Sequence, residues 1–283
     1  MMDSLSSLIL PVIMIAVIQG ITEFLPISSS GHLVLLPALT GFADQGAVMD
    51  VAAHMGSFFA VLIYLRADIG AMITSLPTML SKSRTPFAHL AMLLVLASLP
   101  AIAAGLVVEI IDPEMLRAAL VVAIANLVFA LWLYLADKQQ IRYRLASETG
   151  KFDWSQLSLK DAMAIGLAQC CALIPGASRS GVTMTMARQL GYDRLSAARF
   201  SLLLSLPIIL GAGTVKTASL ISDSQPINMA ALAGVMILSF VCALGAIRWM
   251  MGWLKEASFA IFILYRLALG IILLGLIAAG IIA

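Results

Sequence analysis

Five side chains able to bind phosphate or move protons stand in two short segments of an otherwise apolar chain: Gln19, Glu23, Ser29 and His32 in one, Arg179 in the other. The first segment reads Gln19-Gly-Ile-Thr-Glu23-Phe-Leu-Pro26-Ile-Ser28-Ser29-Ser30-Gly31-His32, and the second Gln169-Cys-Cys-Ala-Leu-Ile-Pro175-Gly176-Ala-Ser178-Arg179-Ser180-Gly181-Val-Thr183. A shift of 150 positions lays Gln19 on Gln169, Ser28 on Ser178, Ser30 on Ser180 and Gly31 on Gly181. The copies differ where chemistry would differ, because Glu23, Ser29 and His32 are matched by Leu173, Arg179 and Val182. One copy therefore offers a carboxylate, a hydroxyl and an imidazole, and the other a permanent cation.

A histidine, with an unperturbed pKa of about 6.5, suits proton transfer near neutrality. A guanidinium grips phosphate with two parallel donors. Glu23 lies four residues after Gln19, so a helix through them puts both on one face. An intramembrane carboxylate is costly, which argues for function; the structural alternative is that Glu23 only pairs with Arg179 or His32. Each proline breaks a helix, and the serines after it are placed to cap the next half-helix, whose free amides attract anions. Ser28, Ser30, Gly31, Ser178, Ser180, Thr183 and Gln19 are accordingly candidate phosphate-binding positions, although Ser28, Ser178 and Ser180 serve equally as plain caps.

The elements that position these groups follow from composition. Of 283 residues, 61% are hydrophobic and 11% charged, where soluble domains carry about 25% charged residues; this is an all-α integral membrane protein. A net charge of +2 provides no basic surface for nucleic acid. Cys170, Cys171 and Cys242 lack any ligand or disulfide spacing and read as packing residues. The start at Met1-Met2-Asp3 has no basic region or cleavage signal, so no removable targeting segment is expected.

A spanning helix needs about 20 apolar residues, which predicts six spans near 46–66, 87–111, 115–136, 197–220, 227–251 and 258–282. Stretches 5–40 and 157–192 each contain one motif and cannot be single straight helices. Read as re-entrant hairpins, they place Lys82, Arg84, Lys138, Arg142, Arg144, Lys151, Lys160, Arg188, Arg194, Arg199, Arg248 and Lys255 on one side. Asp112, Glu114 and Asp223, with Arg117 and Lys216, then lie on the other. Three spans per half, an odd number, make the halves an inverted-topology repeat: residues 1–136, a linker at 137–156, and residues 157–283, forming one membrane domain whose hairpins meet near the midplane. Among the remaining polar residues, Asp50 and His54 read as a helix-stabilising or supporting i,i+4 pair. Arg266 is expected in an internal ion pair, Asn126 in an interhelical hydrogen bond, and His89 at the surface.

The paired motifs, Gln19 to His32 and Pro175 to Thr183, resemble those of the bacterial undecaprenyl pyrophosphate phosphatases of the bacitracin-resistance type, and the likeness runs over essentially the whole chain. The resemblance implies hydrolysis of the terminal phosphate of a C55 polyprenyl pyrophosphate, recycling the lipid carrier for the cell wall. It implies a bacterial cytoplasmic membrane location with the site open to the outer face. It also implies an active-site set of Glu23, Ser29, His32 and Arg179. Under this reading Ser29 attacks phosphorus, His32 acts as base or acid, and Glu23 orients it or helps hold a divalent cation, magnesium or calcium. Gln19, where some members carry Glu, makes a two-carboxylate metal site thin. The rival assignment makes His32 the nucleophile. Broken helices meeting at the midplane also befit a transporter or flippase for an anion or phosphorylated lipid, and a homodimer is left open.

Overall fold

The computed structural model describes residues 2–29, 31–32, 47–79, 81, 85–111, 118–139, 157–222 and 228–282, with backbone alone for 2–9, 47 and 215–222. The chain is all-helical among these residues. The helices are α1 (Met2–Thr22), α2 (Ala47–Tyr64), α3 (Arg66–Ser75), α4 (Pro86–Ile111), α5 (Ala119–Gln139), α6 (Leu159–Gln169), α7 (Arg179–Gln189), α8 (Arg194–Ser222), α9 (Met229–Glu256) and α10 (Ala260–Ala278). Ser30 lies outside the described residues, as do Lys82, Arg84, Asp112, Glu114, Arg117, Arg142, Arg144, Lys151 and Asp223. The same holds for the linker beyond Gln139 and the second arm of the first hairpin beyond His32.

Five helices are long and apolar enough to cross a bilayer: α4, α5, α8 over Arg194–Thr214, α9 and α10. The remaining expected span, 46–66, corresponds to α2, and at its end the chain bends by 78° between Val48–Tyr64 and Arg66–Thr78. Polar residues Arg66 and Asp68 follow the bend, and Asp68 accepts a two-pronged contact from Arg199 of α8, with the Nε–Oδ2 distance at 2.9 Å. This ion pair anchors the turned-away segment. Outward positions such as Ile110, Leu264 and Ile271 are more than half exposed, as lipid-facing residues must be.

The second interruption follows the expected hairpin. Helices α6 and α7 have 11 residues each, about 16 Å at 1.5 Å per residue, and neither crosses a hydrocarbon core of about 30 Å. Between them a 3-10 turn at Cys170–Leu173 leads into Pro175 and Gly176. Gly176 has φ +95°, and a Cβ there would lie 2.3 Å from the Val122 carbonyl oxygen, so this turn requires glycine.

Packing pairs the halves crosswise. A shift of 150 relates α1 to α6, α2 to α8, α4 to α9 and α5 to α10. Correspondingly, α1 packs on α9 as α6 packs on α4, and α2 on α9 as α8 on α4, while α5 packs on α10 and α2 on α8. Small residues allow the close approaches: a Cβ on Gly20 would lie 2.7 Å from the Ser239 carbonyl oxygen, and one on Gly166 only 2.1 Å from that of Ala97.

Helix α5 extends three residues into the range expected for the linker, and the last turn matters. Asp137 is buried and accepts from Arg188 Nε at 3.0 Å and from Arg194 Nε and Nη2 at 2.9 and 3.1 Å. One carboxylate thus ties α5 to α7 and α8. Nearby, in the α7–α8 turn, Tyr192 donates to Asp161 at 2.7 Å; burial first, then this bond, pushes its pKa well above the ordinary tyrosine value.

Candidate active site

Both breaks end in the same cap. Ser28 Oγ accepts from the Gly31 amide at 3.2 Å, and Ser178 Oγ accepts from the Gly181 amide at 3.1 Å. Each serine satisfies an amide that a new helix would leave free. Ser178 adopts φ +68°, alone among the described non-glycine residues, so the second cap sits on a strained backbone. Ser178 Oγ also lies 3.2 Å from Ser180 Oγ, and Ser180 donates across to the Leu25 carbonyl at 2.7 Å. The two interruptions are therefore in direct contact. Thr183, one turn on, is buried, donates to the Arg179 carbonyl at 2.9 Å and lies 2.7 Å from Ser201 Oγ of α8.

Where the breaks meet, Arg179 Nη2 donates to Glu23 Oε1 at 3.0 Å. Their side chains are 14% and 9% exposed, so a charge pair joins residues 156 positions apart with little solvent. The Phe24 ring lies under the guanidinium, 5.7 Å from its carbon. The other carboxylate oxygen, Oε2, accepts from the Gln19 amide. Gln19 Nε2 is in turn 3.0 Å from His54 Nε2, which stands 3.6 Å from Glu23 Oε2. Glu23, His54 and Arg179 border a cavity of about 160 Å³ between α2 and α8, whose other walls are Val51, Met55, Ile208, Ile209, Ala212 and Gly213. It is a charged end with apolar sides.

The four expected active-site residues do not form one hydrogen-bonded cluster. His32 turns to α10, where Nε2 meets the Tyr265 hydroxyl and the two rings stack at 5.5 Å with an interplanar angle of 11°. Its Nδ1 is 2.6 Å from the Ser28 carbonyl oxygen. Ser29, next to the Ser28 cap, is half-buried; it makes no hydrogen bond to Glu23, His32 or Arg179 among the described residues. Gln169, the counterpart of Gln19, is buried, and neither amide atom has a partner among the described residues.

Three expectations need correction or addition. Arg266 is wholly buried but forms no ion pair among the described residues: it donates to Asn126 Oδ1 at 3.0 Å and to the Gly176 and Ala177 carbonyls at 2.9 Å each. The turn at Pro175–Gly176 leaves carbonyls that no helix amide can reach, and these neutral acceptors take the cation. His89 is half-buried, its Nε2 2.9 Å from the Leu157 carbonyl oxygen. His54, expected in a helix-stabilising or supporting role, stands at the site beside Gln19 and Glu23, whereas Tyr265 is an addition that the sequence does not suggest. An ionisable group inside an apolar helix was the available signal for His54, whereas a tyrosine near a helix end has no distinctive signature.

Fold and centre together define a polytopic membrane protein with an intramembrane carboxylate–guanidinium pair built at two duplicated helix breaks. Residues 12–272 match the family model described as bacitracin resistance protein BacA. The chain belongs to that family. It is 46% identical over 265 residues to an undecaprenyl-diphosphatase of Jannaschia sp. (strain CCS1), covering 92% of this chain and 96% of the relative. It is 47% identical over 266 residues to the undecaprenyl-diphosphatase of Roseobacter denitrificans (93% and 96% covered). To that of Alteromonas mediterranea it is 42% identical over 269 residues (95% and 98% covered).

Proposed function

We propose that this chain is an undecaprenyl-diphosphatase, an enzyme removing the terminal phosphate of undecaprenyl diphosphate to regenerate the carrier for cell-wall synthesis. The observation that carries this reading is the Glu23–Arg179 contact at the foot of a cavity with apolar walls. A lipid diphosphate has the matching form: its charged head meets Arg179, and its first prenyl units lie along Val51, Met55, Ile208 and Ile209.

Arg179 is paired with Glu23. An arriving diphosphate competes for the guanidinium and draws it onto phosphate oxygens. Glu23, released from the guanidinium, has an oxygen free to take a proton. Ser29 Oγ then forms a bond to the terminal phosphorus as its proton passes to Glu23. The bridging P–O bond breaks, and its electron pair leaves on undecaprenyl phosphate. Water then attacks the phosphoserine, Glu23 returns its proton to the departing serine oxygen, and inorganic phosphate is freed with serine and carboxylate restored. His32, held between the Ser28 carbonyl and Tyr265, fixes the turn that presents Ser29, and the Ser28 and Ser178 caps hold the chain at the two breaks. The engagement of both His32 nitrogens favours Ser29 over His32 as nucleophile; acid-stable or acid-labile phosphate trapped on the enzyme separates a phosphoserine from a phosphohistidine.

A divalent cation fits the protein groups poorly. Both Glu23 oxygens face N–H donors, and among the described residues no three His, Cys, Asp or Glu side chains gather as a ligand set. The basic residues clustered near the ends of α5, α6 and α9 support a cytoplasmic position for that face, which leaves the cavity open toward the outer side of the bacterial cytoplasmic membrane and the halves in inverted orientation.

Purified protein in detergent, given undecaprenyl diphosphate, is expected to release inorganic phosphate stoichiometrically with undecaprenyl phosphate. Failure to release it, with movement of the lipid intact in sealed vesicles, would replace the enzyme reading with a transporter.

A further inference from the structure

We propose that His54 is a positioning residue for Glu23, acting through Gln19; the inference rests on the diphosphatase reading for its kinetic consequences and on geometry for its structural ones. His54 stands on α2, and its Nδ1 lies 2.8 Å from the carbonyl oxygen of Asp50, one turn back. A carbonyl only accepts, so Nδ1 carries the proton and Nε2 is left with its lone pair. That lone pair points at the Gln19 side-chain nitrogen, 3.0 Å away. Gln19 is 2% exposed, and its amide nitrogen has two hydrogens. One is accepted by His54 and the other by Glu23 Oε2.

The polarity of this relay has one consistent solution. With the ring acceptor in place, the amide nitrogen faces both His54 and Glu23. Turned over, the amide would set its oxygen against the Glu23 carboxylate and against the His54 lone pair, so His54 selects the orientation that supports Glu23. The carboxylate is thereby held at both oxygens, Oε2 by Gln19 and Oε1 by Arg179. Its edge is fixed before substrate arrives, and it keeps a hydrogen-bond partner once Arg179 moves to phosphate. Gln19 is thus suited to its place as an amide: a carboxylate there could donate to neither neighbour.

The test uses the full-length protein in detergent with undecaprenyl diphosphate, kcat and KM being measured separately. His54→Leu removes the acceptor, and His54→Gln restores one, because the glutamine side-chain oxygen reaches about where Nε2 stood. His54→Leu should lower kcat by about 10²-fold, the usual scale for a misplaced reacting group, with KM changed less than about threefold. His54→Gln should recover most of that loss. Gln19→Leu should resemble His54→Leu, and the double variant should be no worse than Gln19→Leu alone, since residues in one relay do not add. Wild-type kcat in His54→Leu, equal losses in His54→Gln and His54→Leu, or multiplying effects in the double variant would each overturn the proposal. Nitrogen NMR of the His54 ring supplies a readout independent of turnover. The Nδ1–H tautomer with a hydrogen-bonded Nε2 is expected, the Nε2 signal shifting in Gln19→Leu; an Nε2–H tautomer, or no shift, would refute the relay. An inactive wild type with the expected NMR behaviour would sink the diphosphatase reading and leave the relay standing.

Discussion

Ser180 donates its hydroxyl hydrogen to the carbonyl of Leu25 at 2.7 Å, so the cap of one interrupted helix is fastened to the break of the other. Both groups are buried, and the bond sits beside the Glu23–Arg179 pair, where it sets how far the two breaks stand apart. Ser180→Ala leaves the Leu25 carbonyl without this donor in a dry setting, a loss of about 1–3 kcal/mol. The expected result is a lowered thermal midpoint together with a several-fold fall in turnover. Ser180→Thr, which keeps the hydroxyl, should retain more of both.

Arg266 acts as a strut from α10 to the second break. Its donors hold the Gly176 and Ala177 carbonyls and Asn126. Arg266→Met removes all three bonds, and Arg266→Lys cannot span them as a planar fork does. Both variants should lower thermal stability in detergent, Arg266→Met by about 3 kcal/mol or more, the scale of a broken buried polar network. Arg266→Lys should fall between it and the wild type.

Asp137 is the common acceptor of two arginines. Asp137→Asn leaves Arg188 and Arg194 facing each other without a carboxylate, and a buried charge deprived of its partner costs about 3–5 kcal/mol. The expected signature is early unfolding and poor recovery from membranes, with turnover per folded molecule near wild type, since the site lies at the opposite end of α7. Arg194→Gln, which removes the more exposed cation, should be tolerated far better.

Tyr265 fixes the His32 ring by a hydrogen bond and by stacking. Tyr265→Phe keeps the stack and removes only the hydroxyl. Turnover should fall severalfold with little change in thermal midpoint, whereas Tyr265→Ala should lose more of both. Equal turnover in Tyr265→Phe and wild type would remove the hydroxyl from the account.

The hydrophobic runs disclosed the spans because about twenty apolar residues in sequence have few other uses, and α4, α5, α8, α9 and α10 lie close to their expected bounds. The bend after Tyr64 was not legible: it depends on Asp68 finding Arg199, 131 positions away, and no local pattern encodes such a meeting. Pro26 and Pro175 marked the breaks, since a missing amide is a local property. The juxtaposition of Glu23 with Arg179 was foreshadowed by the duplication, which brings the two copies to matching places. Arg266 misled because a cation in an apolar helix invites an anionic partner, while the acceptors it found are backbone carbonyls, which carry no residue identity. His54 was visible as a polar residue in an apolar helix, yet its importance depends on the rotation of α2 against α1, a tertiary fact.

Glu23 and Arg179 as the two poles of one phosphate-processing centre must be energetically coupled in turnover, which a double-mutant cycle measures. Phosphate release from undecaprenyl diphosphate would be followed for the wild type, Glu23→Gln, Arg179→Met and the double variant, with folding checked by thermal unfolding. Each single change should lower kcat/KM by about 10²-fold or more, with the double variant much less impaired than the product of the two losses. Wild-type rates in either single variant, or a double variant whose loss equals the product, would contradict that coupling.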